Sequence, residues 1–234
     1  MSGHSKWATT KRRKAVVDAK RSSIFTKLAN TISIAAKEGG DPESNFKLRM
    51  AIDRARSFSL PKENVEKAIK RGTGELGGQQ IEKFFYEGFG PDGIAIILEV
   101  ITDNRNRAAA DIKHILNKHG GALGGPGSVM WLFEQKGVIT LNLKDLSEEE
   151  ELKLIDAGVE DIEREDGITL YTKAVDFKKI KERVEALKLP ILEADLEYVA
   201  KKRIKPKNEA SLINLYEALE DCDDVNNFYT NAEL

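Results

Sequence analysis

LINLYEALEDCDDVNNFYTN, residues Leu212–Asn231, is the stretch that decides the fold. Leu212, Ile213, Tyr216 and Leu219 fall at helical spacing, and Val225–Asn231 then reads as a strand, so the tail supplies one amphipathic helix and one strand. Those are the two pieces missing from an earlier segment. Phe84-Phe85-Tyr86 forms a first strand, GFGPDG (88–93) a turn, and Ile94–Ile101 a buried second strand. A helix from about Arg105 carries Ile112, Ile115 and Leu116 inward, and a glycine-rich loop to Gly127 leads into a third strand at Ser128–Phe133. This β-β-α-β order lacks a helix and a strand of a split β-α-β sandwich, and the tail completes it.

Between the two parts lies a complete unit. Val138–Leu143 is a strand, Ser147 with Glu150 a capping box, and Val159–Glu163 and Ile168–Thr172 flank an Asp166-Gly167 turn. Phe177, Ile180, Val184 and Leu187 mark a second helix, and Leu192, Ala194, Leu196 and Tyr198 alternate with Glu193, Asp195 and Glu197 in a half-buried strand. The order is β-α-β-β-α-β, ferredoxin-like.

Upstream, Ile24, Phe25, Leu28, Ile32 and Ala35 mark a helix closed by Gly39-Gly40. Asp41-Pro42 offers a cap and an N1 proline to a second helix with Leu48, Ala51, Ile52 and Ala55 inward, and a third runs from about Pro61 to Gly72 around Val65, Ala68 and Ile69. GTGELGG (72–78) reads as a linker, because no Gly-Lys-Ser/Thr follows to make it a phosphate loop. The expectation is an α+β multidomain protein. An N-terminal basic arm and three-helix domain (1–78) precede two ferredoxin-like α/β domains, with the third (135–204) inserted into the second (79–134 plus 205–234).

Charge divides the chain differently. Residues 1–76 hold 17 Lys/Arg and 8 Asp/Glu, a net of +9, whereas residues 77–234 hold 20 and 31, a net of −11. The bias is densest in GHSKWATTKRRKAVVDAKRSSIFTK (3–27), where Lys6, Lys11, Arg12, Arg13, Lys14, Lys20, Arg21 and Lys27 face one acid, Asp18. Such an arm suits a polyanion, with strong, salt-sensitive and weakly sequence-specific binding. Trp7 fits either stacking on a base or packing as an anchor. Arg105 and Arg107 sit at a helix start, where cations are unfavourable, which suggests a second anion contact or pairing with Asp103 or Asp111.

Other chemistry finds little support. His4, His114 and His119 have no metal-ligand spacing, and Cys222 sits in the run Glu220-Asp221-Cys222-Asp223-Asp224, where neighbouring anions raise a thiol pKa. Glu148–Glu151 suit a helix's first turn, and GGALGGPGS (120–128) reads as a connection more readily than as a phosphate cradle. No enzyme, cofactor, metal or small-molecule substrate is expected. A lone cysteine permits no internal disulfide, no stretch is apolar enough to span a membrane, and the expected address is the cytoplasm.

GHSKW (3–7), DAKR…FTK (18–27), LPKENVEKAIKRGTGE (60–75), YEGFGPDG (86–93), TDNRNR (102–107), GGALGGPGSV (120–129) and LEDCDDV (219–225) together resemble the YebC/PmpR family, which includes mitochondrial translational activators of cytochrome oxidase. The resemblance spans nearly the whole chain and implies three domains. It also implies a nucleic-acid-binding regulator of gene expression, either a DNA-binding transcriptional regulator or a ribosome-associated translation factor that contacts rRNA or tRNA and aids synthesis of proline-rich sequences. Two positions depart from the family pattern: Arg12-Arg13 stands where many relatives have His-Arg, and Val199-Ala200 where a residue followed by proline is usual.

Overall fold

A computed structural model describes residues 18–77, 80–164 and 167–234, with side chains from Ser22 onward. Two compact units emerge. One spans residues 133–201, and the other comprises the described residues up to Leu132 together with 202–234.

The second unit begins with three helices, α1 (Asp18–Ala36), α2 (Phe46–Ser57) and α3 (Lys62–Gly72). Their shared core is Leu28, Ile32, Ala35 and Ala36 from α1, Leu48, Ala51, Ile52 and Ala55 from α2, and Val65 and Ala68 from α3. The cap of α2 is Asn45 rather than Asp41: its side chain accepts from the Leu48 amide and donates to the carbonyls of Ala35 and Gly39, both at 2.8 Å. One buried amide therefore ends α1 and starts α2, while Asp41-Pro42 only shapes the turn before it. Helices α1 and α3 approach so closely that Ser33 Oγ donates to the Ala68 carbonyl at 2.7 Å. A Cβ at Gly72 would run into the Ser33 carbonyl and stand 2.7 Å from Ala36 Cβ. Gly72→Ala should force the two helices apart, at about 1–3 kcal/mol by overpacking, read as a lower urea midpoint.

The same unit continues with β1 (Glu82–Phe89), β2 (Ala95–Thr102), α4 (Arg105–Lys118) and the two-residue β3 (Ala122–Leu123). After the other unit come α7 (Glu209–Glu220) and β8 (Val225–Thr230). The sheet order is β3-β1-β2-β8, antiparallel throughout. The core is built from both ends of the chain: Ile94, Ile96, Leu98, Val100, Ala108, Ile112 and Leu116 meet Leu212, Leu215, Tyr216, Leu219, Val225 and Phe228. Asp92 fastens the return. It sits at φ +59° in the β1–β2 turn, and its carboxylate accepts from the amides of Lys207 (2.8 Å) and Asn208 (3.1 Å), just before α7.

The third strand is a correction. Ala122–Leu123 pairs with β1, whereas Met130–Leu132 forms a 3₁₀ turn where the apolar run suggested a strand. The cause is Glu87 on β1, whose buried carboxylate accepts from the amides of Gly127 (2.6 Å), Val129 (2.8 Å) and Met130 (2.7 Å). Amides committed to a carboxylate cannot serve a ladder.

The inserted unit contains β4 (Phe133–Leu141), α5 (Glu148–Ala157), β5 (Val159–Glu163), β6 (Ile168–Lys173), α6 (Phe177–Ala186) and β7 (Ile191–Ala200). β4 begins five residues before the expected Val138, because the polar stretch Glu134-Gln135-Lys136 still pairs with β7. The expected capping box is present, and Gly158 closes α5 at φ +112°. Gly167 of the β5–β6 turn has φ +115°, while Asp166 lies outside the described residues.

The order β5-β6-β4-β7 is that of a ferredoxin-like sheet. The other sheet has the same layout with different wiring, since β1, first in its chain order, holds the central place that β6 holds here. The protein is thus α+β, a three-helix domain followed by two ferredoxin-like domains, the third inserted into the second. No described helix is long and apolar enough to cross a membrane.

Candidate nucleic-acid interface

Of the residues expected to meet nucleic acid, Lys6, Trp7, Lys11, Arg12, Arg13 and Lys14 lie outside the described residues. Lys20 and Arg21 fall on the first turns of α1. Lys27, two turns further along, is committed: Nζ donates to the Glu220 carbonyl at 2.6 Å. That bond roots the basic arm on the tail. Ser23 Oγ donates to Asp223 Oδ1 (2.7 Å) and Thr31 Oγ1 to Asn226 Oδ1 (3.0 Å), one turn to either side of Lys27.

The outside of the helical bundle is cationic but largely balanced. Lys62 pairs with Glu66 (3.7 Å), Lys67 with Glu63 (2.6 Å), Lys47 with Glu38 (2.5 Å) and Arg56 with Asp53 (3.5 Å). The exposed Arg71 donates to Asn30 Oδ1 at 3.2 Å, and the Arg49 guanidinium stands over the Phe46 ring at 5.6 Å. On α3 the pairs are i,i+4 neighbours that offset Lys62 and Lys67, while Lys70 and Arg71 in its last turn leave that end positive. The charge excess is therefore carried chiefly by the arm.

Arg105 and Arg107 separate at the start of α4. Asn104 caps the helix by accepting from the Arg107 amide at 3.1 Å. The Arg107 guanidinium bonds Asp103 and Asp224, each at 3.2 Å, and bonding to Asp224, with its charge, holds its pKa above the usual arginine range. The pairing expectation for Arg107 thus holds for Asp103, with the distant Asp224 as second partner in place of Asp111. Arg105 instead lies over the Phe84 ring, 4.9 Å from its centroid. Two carboxylates of the same chain thus partner the Arg107 guanidinium.

Two further sequence readings acquire a physical cause. The glycine-rich loop does gather amides around an anion, and that anion is the protein's own Glu87. Burial pushes the Glu87 carboxyl's pKa up, but the amides of Gly127, Val129 and Met130 more than offset it and hold the group below the ordinary carboxylate range. Trp131, next to this clamp, is 65% exposed, and its indole donates to the Ser128 carbonyl at 3.2 Å. For Cys222, burial is the leading cause of a raised thiol pKa, with Asp224 adding to it and Lys27 opposing. The sequence alone pointed to the anions and missed the burial. No group of His, Cys, Asp or Glu among the described residues could hold a metal ion.

Comparison with known proteins agrees along the whole chain. A model of the TACO1/YebC N-terminal domain matches residues 5–75, and one of the TACO1/YebC second and third domain matches residues 81–232. A "probable transcriptional regulatory protein" of Caldanaerobacter subterraneus subsp. tengcongensis is 48% identical over 240 residues, covering 100% of this chain and 99% of its own. One from Chlorobaculum tepidum is 46% identical over 240 residues, covering 100% and 96%. The crystal structure of a conserved hypothetical protein from Aquifex aeolicus superposes with a TM-score of 0.84 at 39% identity, covering 94% of this chain and 93% of that one. This chain belongs to the TACO1/YebC family.

Proposed function

We propose that the protein is a non-enzymatic, nucleic-acid-binding regulator of gene expression in the cytoplasm, acting on DNA as a transcriptional regulator of the YebC/PmpR type. The observation that carries this reading is the arm itself, eight cations against one acid in residues 3–27, continuous with a helix fastened to the rest of its unit. The names of the relatives from Caldanaerobacter and Chlorobaculum support the regulatory role. In this reading the chain works as three parts: residues 1–78 bind, and the α/β parts 79–134 plus 205–234 and 135–204, acidic in sum, stay off the polyanion.

The test is a titration of the full chain on duplex DNA across a salt series. Replacing Arg12, Arg13, Lys20 and Arg21 by Ala should weaken binding, and the slope of log K against log salt should shallow by about 0.9 for each phosphate that is no longer neutralised. An unchanged affinity and slope would show that the arm is not the binding element.

One observation favours a second reading, a translation factor on rRNA or tRNA. On α3, Lys62 and Lys67 are engaged with Glu66 and Glu63, which suits contacts to phosphates more than the reading of base edges, and phosphate contacts are weakly sequence-specific. Polysome gradients separate the two readings. Comigration of the protein with 50S or 70S particles at moderate salt, without selective retention on DNA, would replace the transcriptional reading with the ribosomal one.

A further inference from the structure

The three-helix core and the core of the β3-β1-β2-β8 sheet share no residue. The side chains that fasten α1 to the tail are polar: Ser23 to Asp223, Lys27 to the Glu220 carbonyl and Thr31 to Asn226, spaced one per turn. Asn226 hands the chain of bonds on to Glu99 (2.8 Å), and Glu99 to Lys83 (2.6 Å). Of these bonds Ser23–Asp223 is exposed and the others are half-buried, and a seam held by polar groups rather than by a shared apolar core permits relative motion.

The corner is also strongly acidic. Glu217, Glu220, Asp221, Asp223 and Asp224 lie within eight residues, and of the cations described there Arg107 is tied to Asp224 and Asp103. Lys27, the last cation of the arm, is the one that reaches in. A residue suited to phosphate is thus already facing an anionic surface of its own chain.

We propose that the Glu220–Asn226 corner is an autoinhibitory latch for the root of the basic arm. When nucleic acid binds, Lys27 exchanges the Glu220 carbonyl and the surrounding carboxylates for phosphate, and α1 comes off the tail. The latch rests on the nucleic-acid reading above and deepens it, because the apparent affinity is lowered by the fraction of molecules in which the latch is closed. Short or weak polyanions fail to open it; a run of phosphates long enough to engage the arm succeeds.

The experiment uses the full chain carrying Cys222→Ser, Ser23→Cys and Asp223→Cys, titrated on a DNA duplex of about 30 base pairs and on an RNA of the same length. Closing the disulfide should weaken binding by about tenfold or more, and dithiothreitol should restore it. A second variant, Asp221→Asn with Asp223→Asn, needs no crosslink. It should bind about three- to tenfold more tightly than the wild type at low salt, with the gain fading as salt screens the corner. Equal binding by oxidised and reduced protein, or an unchanged affinity in the neutralised variant, overturns the latch while leaving the nucleic-acid reading intact. Absence of binding by the wild type at low salt removes both.

Discussion

Deleting residues 208–234 should unfold the β3-β1-β2-β8 sheet rather than trim its end. The deletion takes away Leu212, Leu215, Tyr216 and Leu219, all fully buried, together with Val225 and Phe228. At about 1.5–3 kcal/mol for each of these six side chains, the loss is roughly 9–18 kcal/mol, as large as the entire stability of an ordinary domain. It also strips β2 of an edge partner over Ile96–Val100 and leaves Ile94, Ile96, Leu98 and Val100 facing water. The sheet of the inserted unit takes no strand from this tail. Residues 133–200 contain every strand of their own sheet, so calorimetry of the truncated chain should show one cooperative transition surviving and another gone. A single intact transition at the wild-type temperature would contradict the shared core.

The second large effect concerns Glu87. Three amides converge on its carboxylate, and hydrogen bonds to a charged group contribute about 1.5–3 kcal/mol each, with a further penalty when a buried donor is left without a partner. Glu87→Gln turns one of the two acceptor oxygens into a donor that faces amides. The variant should lose about 2–3 kcal/mol, measured by urea unfolding, and Glu87→Ala more. The sign of the pH dependence follows from the direction of the shift. A carboxyl whose pKa is lower in the folded than in the unfolded chain stabilises fully above the unfolded value and loses that contribution as pH falls through the folded value. The gap between wild type and Glu87→Gln should therefore stay constant from neutral pH down to about 5 and narrow below about 4. A gap insensitive to acid would assign the loop's stability to its glycines instead.

Much of this architecture is legible in residues because periodicity reports burial directly. The tail helix, the capping box at Ser147 and Glu150, and the β5–β6 hairpin all follow from local pattern, and each is present. In each of the misses a polar group other than the expected one takes the backbone or charge partner. Ser128–Phe133 has strand composition, yet Glu87, some forty residues earlier, holds the amides of Val129 and Met130 in a turn, and only Phe133 joins a strand. Asp41-Pro42 looks like a helix start, yet Asn45 wins because its amide also closes the preceding helix. Arg107 offered Asp103 and Asp111 as neighbours in sequence, while Asp224 is a neighbour only through the pairing of β8 with β2. Of the candidate interface, the cationic arm is visible in composition alone. That its last lysine is already engaged with the tail is not, since no local pattern links Lys27 to Glu220.

The pairing of β2 with β8 sets a clock during synthesis. Val100 must wait for Val225, and the segment between them includes a unit that can complete its own sheet first. At roughly 5–20 residues per second, β2 is made about 6–25 s before its outer partner, with its apolar face in search of cover. The long-range closure should also make this sheet slower to form than the sheet of the insert. A chain that stops before β8 therefore carries a finished insert together with an open, aggregation-prone sheet, its Ile96–Val100 edge unpaired.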